Sequence, residues 1–271
     1  MNKAHFGTAV ITGASTGIGS IYADRLAARG YDLVLVARNR ERLQALAERL
    51  GTQHGIGVRT LSADLTRDAD LRRVEDLLRT DASITMLVNN AGVGSGGALL
   101  DADIGAMQDM IALNVTALTR LTYAAAPGFV ERGQGSFINI ASITAIAPEV
   151  LNGVYGGSKA YVLAFSQSLQ HELADKGVRV QAVLPGATAT DFWQVAGIPM
   201  EHLPKEIVMR ADDMVDAALA GLDQGEFATI PALEDGAKWG AYEAARRAMH
   251  PELSGTQPAS RYGAGAVARA A

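Results

Sequence analysis

Short runs rich in β-branched residues return at intervals along the chain, each separated from the next by a stretch with helical spacing. The runs are TAVIT at 8–12, DLVLVA at 32–37, GVRTLSA at 57–63, TMLVN at 85–89, SFINIAS at 136–142, VRVQAVLP at 178–185 and FATIP at 227–231. Between them Leu26, Leu43, Leu46, Leu50, Leu71, Val74, Leu77 and Leu78 recur on a helical period and are expected in the core. Strands alternating with helices of this length pair in parallel through right-handed crossovers. The expected architecture is therefore α/β: a doubly wound parallel sheet of about seven strands with helices on both faces. Ligands of such sheets bind beyond the carboxyl ends of the strands, so chemistry is sought in the loops that follow each run.

The first crossing carries the most specific signal. VITGASTGIGS places Gly13, Gly17 and Gly19 directly after the first run and opens a helix through Ile18, Tyr22 and Leu26. Glycine lets the backbone approach a ligand closely, and the free N–H groups and dipole of a helix start favour a phosphate there. The spacing G-x-x-x-G-x-G departs from the commoner G-x-G-x-x-G dinucleotide fingerprint. With a strand before it and a helix after it, the loop, including Ser15 and Thr16, still reads as a pyrophosphate cradle.

A site selective for NAD usually ends its second strand with an acid that bonds the ribose 2′-hydroxyl. Here that strand ends in Ala37 followed by Arg38, and Asp32 stands at its opposite end. A guanidinium suits a 2′-phosphate through charge-assisted, often bidentate bonds, so NADP(H) is expected over NAD(H), with Arg38 as its contact. Arg40 and Arg42 are expected on the solvated face of the next helix.

A second signal lies far downstream. YGGSK puts Tyr155 and Lys159 one helical turn apart, within reach of one pocket. Such a pair alone also occurs on solvated helix faces, but it does not stand alone. TGASTGIG at 12–19, NNAG at 89–92, Asn114 in LNV, Ser142, Tyr155, Lys159 and PGATAT at 185–190 follow in order on a parallel α/β rhythm. On these residues the chain resembles the short-chain dehydrogenase/reductase family in its short single-domain form, from residue 7 to about residue 230.

The resemblance implies a Rossmann-type fold and an NADP(H)-dependent dehydrogenase/reductase moving a hydride between nicotinamide and a carbonyl or secondary alcohol. Tyr155 is then the acid or base at the substrate oxygen. Because a free phenol has a pKa of about 10, its phenolate needs stabilising, a task for the positive charge of Lys159. Lys159 also holds the nicotinamide ribose, Ser142 bonds the substrate oxygen, and Asn114 holds a water-linked proton relay from the lysine to solvent. For the cofactor, the resemblance adds Asp64 and Leu65 beside the adenine, and Asn90, Ala91 and Gly92 in a turn under the adenosine. Pro185 and Gly186 turn the chain, and Thr188 and Thr190 bond the carboxamide and phosphates. Read from the residues alone, Asp64 serves equally as a helix N-cap and Ser142 as a strand-end cap. One position departs from the family pattern: Gly157 stands where Ala is usual, which weakens the start of the helix.

Other features bound the reading. A net charge of −5 argues against a broad nucleic-acid surface, and 48% hydrophobic residues suffice for a core. There is no cysteine, which fits a reducing compartment; with no long apolar run and no separable leader, a soluble cytoplasmic protein without a membrane partner is expected. The five histidines, His5, His54, His171, His202 and His250, show no metal-ligand spacing, and no metal is expected. One catalytic domain is expected over residues 1–250, with a substrate lid at about 188–210 and an Ala/Gly-rich tail at 251–271.

Ala145, Ile146, Val150, Leu151, Phe192, Trp193, Val195 and Met200 are expected to build an apolar pocket for a small-molecule carbonyl or alcohol of hydrophobic or medium size. Glu149 and His202 read as solvated loop residues. The resemblance also implies a homodimer or homotetramer that buries the faces of the Asn114 and Tyr155 helices. A binding protein that senses NADP(H) without turnover is the alternative in another class, and the intact Asn-Ser-Tyr-Lys set speaks against it.

Overall fold

The computed structural model describes residues 6–262. In chain order its elements begin β1 (Thr8–Thr12), α1 (Gly17–Ala28), β2 (Asp32–Ala37), α2 (Arg40–His54), β3 (Val58–Ser62), α3 (Asp68–Thr80) and β4 (Ile84–Asn89). There follow α4 (Ile104–Ile111), a π-helical segment (Ala112–Ala117), α5 (Leu118–Glu131), β5 (Gly135–Ile140), α6 (Gly153–Leu173) and β6 (Val178–Val183). The chain continues through β7 (Thr188–Ala189), α7 (Phe192–Val195), β8 (Met209–Arg210), α8 (Ala211–Gln224), β9 (Ala228–Thr229) and α9 (Ala237–Ala248). It forms two compact units that divide between Ala232 and Leu233.

The first unit holds a seven-stranded sheet in the order β3-β2-β1-β4-β5-β6-β9, all parallel, and a small second sheet of β7 and β8. The doubly wound expectation is met strand for strand; the last run pairs over only two residues, Ala228 and Thr229. Both faces of the sheet are covered, because alternate residues along each strand feed opposite cores. Ala9, Ile11, Leu33 and Leu35 face a core closed by Tyr22 and Leu26 of α1, Leu43 of α2 and Leu219 of α8. Val10, Val34, Val36 and Phe137 face a second core closed by Leu71 of α3, Leu121 of α5 and Leu169 of α6.

The order of strands reverses between β1 and β4, and there the crossovers diverge to opposite faces. That crevice is where an α/β sheet leaves room for a ligand. Across the same strands runs a buried polar chain: Asn89 Nδ2 donates to Thr122 Oγ1 at 3.1 Å and to Asn139 Oδ1 at 2.9 Å, and Asn139 Nδ2 donates to Ser166 Oγ at 2.9 Å. These bonds tie β4 and β5 to α5 and α6 in one register, although Asn89 Oδ1 finds no partner among the described residues.

The second unit contains α9, in which no residue is buried, and two short turns, His250–Glu252 and Ser260–Tyr262. Residues 263–271 of the Ala/Gly-rich tail, and His5, lie outside the described residues. Among the described residues no helix is long and apolar enough to cross a membrane.

Candidate active site

The carboxyl ends of the strands open into one cleft of about 640 Å³. Its floor at the β1–α1 turn is built by sterics. Gly13 and Gly17 have φ of +66° and +53°, a region that a side chain makes costly. Gly19 allows the close approach of helix to strand, since a Cβ there would lie 2.5 Å from Asn90 Nδ2 and 2.9 Å from the Gly13 carbonyl carbon. Gly13, Ser15, Thr16, Gly17 and Ile18 line the cleft, whereas Gly19 stands one layer behind. Nothing in the side chain of Thr16, the residue before α1, caps the helix, so its first N–H groups face the cleft with the positive end of the dipole.

Asn90 braces this turn from β4. Its Nδ2 donates to Thr12 O at 2.8 Å, while Thr12 Oγ1 accepts the amides of Asn90 and Ala91, each at 3.0 Å. Thr12 thus locks the two strand ends together, a role the sequence reading missed because a threonine ending a strand carries no signal of its own. Asn90, Ala91 and Gly92 line the cleft.

At the far end of the cleft stand Arg38, Asp64 and Leu65, joined by Asn39, Arg42 and Thr66. Arg42 is exposed as expected, but it also lines the cleft. Asn39 caps α2 by accepting the Arg42 amide at 2.9 Å, and this starts the helix so early that Arg42 falls in the first turn, facing the cleft beside Arg38. Asp64 is not the N-cap of α3, a place held by Arg67; its carboxylate accepts the amide and hydroxyl of Thr66 at 3.1 and 2.7 Å. Asp32 is remote from this end and accepts the Gly57 amide at 2.7 Å.

The β5 end supplies the polar centre. Ser142 begins a short turn, Ile143–Ala145, and its Oγ accepts the Thr144 amide at 3.2 Å, so it does cap; it lines the cleft together with Tyr155. Tyr155 and Lys159 lie on α6, which starts at Asn152, whose side chain accepts the Val154 amide at 2.9 Å. Lys159 Nζ donates to Ile140 O at 2.8 Å and sits 5.8 Å from the centroid of the Tyr155 ring. Burial pushes the Tyr155 hydroxyl up to about 12, against the lowering effect of its Ser142 hydrogen bond. Burial likewise pulls the Lys159 ammonium down to about 8. The Lys159 ammonium lies over the Tyr155 ring face and bonds a carbonyl, and burial is the leading influence on both groups.

Asn114 does not line the cleft. It lies in the π-helical segment between α4 and α5 rather than in a regular α-helix. The wider turn suits a side chain that must work sideways. Its Oδ1 accepts the Val93 amide at 3.0 Å, and its Nδ2 donates to Val93 O at 2.9 Å and to Ser158 Oγ at 3.1 Å. A Cβ on Gly92 would lie 3.1 Å from Asn114 Oδ1 and 3.5 Å from Lys159 Nζ, so the amide and the ammonium flank one point of the chain.

Opposite α6 the segment from Pro185 to Thr190 closes the cleft with Gly186 and Thr188, and α7 adds Phe192, Trp193 and Val195. The Phe192 ring lies 5.6 Å from that of Tyr155, and Trp193 Nε1 donates to Thr188 O at 2.8 Å. Of the apolar residues expected here, Val150, Leu151, Phe192, Trp193 and Val195 line the cleft, and Ala145, Ile146 and Met200 do not. Val93, Leu113, Leu203 and Ile207 also line it; apart from Leu113 in LNV none lies in a motif, and only the fold brings them together.

A family model described as short chain dehydrogenase matches residues 7–198. The chain belongs to this family. A short-chain dehydrogenase from Sphingobium yanoikuyae, solved in complex with NADPH, is 49% identical, with a TM-score of 0.92 over 95% of this chain and 100% of that one. The bulky-bulky ketone specific alcohol dehydrogenase from Comamonas testosteroni is 42% identical, with a TM-score of 0.88 over 96% and 99% of the two chains. Serine 3-dehydrogenase from Rhizobium radiobacter is 37% identical over 188 residues, 69% of this chain and 74% of that protein. The protein is thus an oxidoreductase with the short-chain dehydrogenase fold.

Proposed function

We propose that this short-chain dehydrogenase uses NADP(H) to interconvert an apolar ketone or aldehyde and its alcohol, with Tyr155 as acid and base. The observation that carries the reading is the convergence of Tyr155, Ser142, Lys159 and the glycine cradle on one largely apolar cleft. The donor set fits a dinucleotide phosphate: open α1 N–H groups meet the pyrophosphate, and Arg38 and Arg42 meet a 2′-phosphate. Asp64 and Leu65 flank the adenine, Asn90 to Gly92 the adenosine, and Thr188 and Thr190 the nicotinamide end. When bound, NADPH supplies the hydride.

The chain's own residues handle the proton. A phenol held near 12 stays neutral at physiological pH, which is the form that protonates an oxygen gaining negative charge. Ser142 shares that oxygen, and Lys159, one turn on, resupplies the phenol, with Gly92 and Asn114 beside its ammonium. Asn114 acts in this scheme as a positioning residue, holding Val93 and Ser158. The NADPH complex of the Sphingobium relative supports the cofactor choice, and the Comamonas relative's bulky ketones suit the apolar wall. A homo-oligomer belongs to the same reading, supported by the exposed Tyr123 and Tyr161 stacked on half-buried Phe165 on α5 and α6.

The test is NADPH consumption over a panel of ketones and aldehydes, in parallel with NADH and with Tyr155→Phe, on protein whose mass is read by light scattering. Turnover that prefers NADPH and falls about 100-fold or more in the variant is expected, from a species heavier than one chain. Tight NADPH binding without turnover on any member of the panel would overturn the catalytic reading.

A further inference from the structure

The loop after β4 and the lid meet in an unusual way. Residues 93–97, VGSGG, place Gly94 and Gly96 directly beneath two lid side chains. A Cβ on Gly94 would stand 2.8 Å from Phe192 Cε2 and nearer still to Cζ; one on Gly96 would stand 2.5 Å from Ile198 Cδ1. Neither glycine has a positive φ, so backbone conformation is not the reason for a missing side chain. Both positions accept an apolar side chain from above.

Polar bonds hold the same contact. The Gly96 amide donates to Ala196 O at 2.9 Å, tying loop to lid, and Asn152 Nδ2 donates to Gly97 O at 2.7 Å, tying loop to the start of α6. Through these bonds the loop bridges the helix that carries Tyr155 and the lid that faces it. Phe192 is the shared wall: it packs with Tyr155, Met107, Met110 and Val93 on one side and lines the cleft on the other, with Trp193 edge-on at 5.4 Å.

Resting on the reductase reading above, we propose that Phe192, seated on Gly94, sets the largest group a substrate carbonyl carries beside Tyr155. Gly94 and Gly96 are positioning residues that define where the lid stands when it covers the cleft. The ring occupies space within van der Waals reach of the phenol, so a substituent on that side of the carbonyl displaces the ring or is refused. The seat at Gly94 leaves the ring no room to retreat toward the loop.

A double-mutant cycle on Gly94→Ala and Phe192→Ala tests this, because a methyl group at position 94 meets the ring and little else. With a series of aryl ketones of growing second substituent, Phe192→Ala is expected to raise the kcat/KM ratio of the largest to the smallest ketone about tenfold, the scale of one or two methylenes of pocket space. Gly94→Ala alone is expected to raise KM for every ketone, and the defect is expected to vanish when Phe192 is already Ala. Gly96→Ala with Ile198→Ala repeats the cycle at the second seat and serves if the first variant does not fold. Independent effects in both cycles, or a size ratio unchanged by Phe192→Ala, would overturn the proposal.

A readout without turnover separates this from failure of the reductase reading. The chain has two tryptophans, and in a Trp239→Phe background the emission reports Trp193 alone, edge-on to Phe192. Gly94→Ala is expected to shift that emission, and the shift is expected to be absent with Phe192→Ala. If no ketone is reduced but the emission couples as described, the seat stands and the substrate class is wrong; emission unmoved by Gly94→Ala removes the seat itself.

Discussion

Arg42 illustrates what one residue owes to its neighbour. In sequence it is one of three arginines in a charged stretch, and nothing local separates it from Arg40. The cap at Asn39 fixes the phase of α2, and the phase turns position 42 into the cleft and leaves 40 outside. Two guanidiniums at the end that would take a 2′-phosphate lead to a specific expectation. Arg38→Ala and Arg42→Ala should each weaken NADPH binding by about tenfold, the scale of one charge-assisted contact, and leave NADH binding within about twofold. Titration of cofactor fluorescence reads both. An Arg42→Ala variant that binds NADPH as tightly as the wild type would return Arg42 to the solvated face. At the same scale, the Tyr-Lys pair was legible from its spacing, but its electrostatics were not: the fall of Lys159 to about 8 and the rise of Tyr155 to about 12 come from burial, which only packing creates.

Among elements, the glycines of the two functional helices separate into those the fold needs and those it does not. Gly19 on α1 needs its missing side chain, since a Cβ would collide with Asn90 and the Gly13 carbonyl group. Gly156 on α6 is tight, 3.1 Å from Pro148 Cβ, whereas a Cβ on Gly157 would meet nothing within 4 Å. Gly157→Ala should therefore stabilise the protein by about 0.5–1 kcal/mol through backbone entropy, and Gly19→Ala should destabilise it by more than that and weaken cofactor binding. Urea unfolding of the two variants beside the wild type checks both signs. The weakened start of α6 inferred from the family departure is real in propensity but harmless in space; the Asn152 cap stands ahead of it. The π-helical segment around Asn114 was not legible at all, because a one-residue widening leaves the apolar pattern of LNVTALTR compatible with a regular helix.

At the level of the whole molecule, two buried ionisable groups make stability depend on pH in a defined direction. Lys159 titrates near 8 in the native state and at its ordinary, higher pKa once unfolded. Between those values the unfolded chain binds more protons, so stability rises with pH from about 8. Tyr155 works the other way: above about 10 the unfolded phenol is ionised while the native one keeps its proton to about 12, so stability is lost there. Tyr22, fully buried with no hydrogen-bond partner for its hydroxyl among the described residues, is raised by desolvation and adds to that loss. The unfolding midpoint in urea should climb between about pH 8 and 10, and Lys159→Met should flatten that climb and raise stability below it. An unchanged profile in Lys159→Met would mean that the lysine is solvated in the native state. The parallel α/β fold and the places of the glycine turn, the Tyr155–Lys159 helix and the second-strand arginine follow from local pattern, because periodicity and glycine sterics act over a few residues. The apolar wall of Val93, Leu113, Leu203 and Ile207, the Phe192 seat on Gly94 and the shifted pKa values were settled by packing. They join residues more than a hundred positions apart, as with Val93 and Ile207, and no local propensity records which side chain will fill which space.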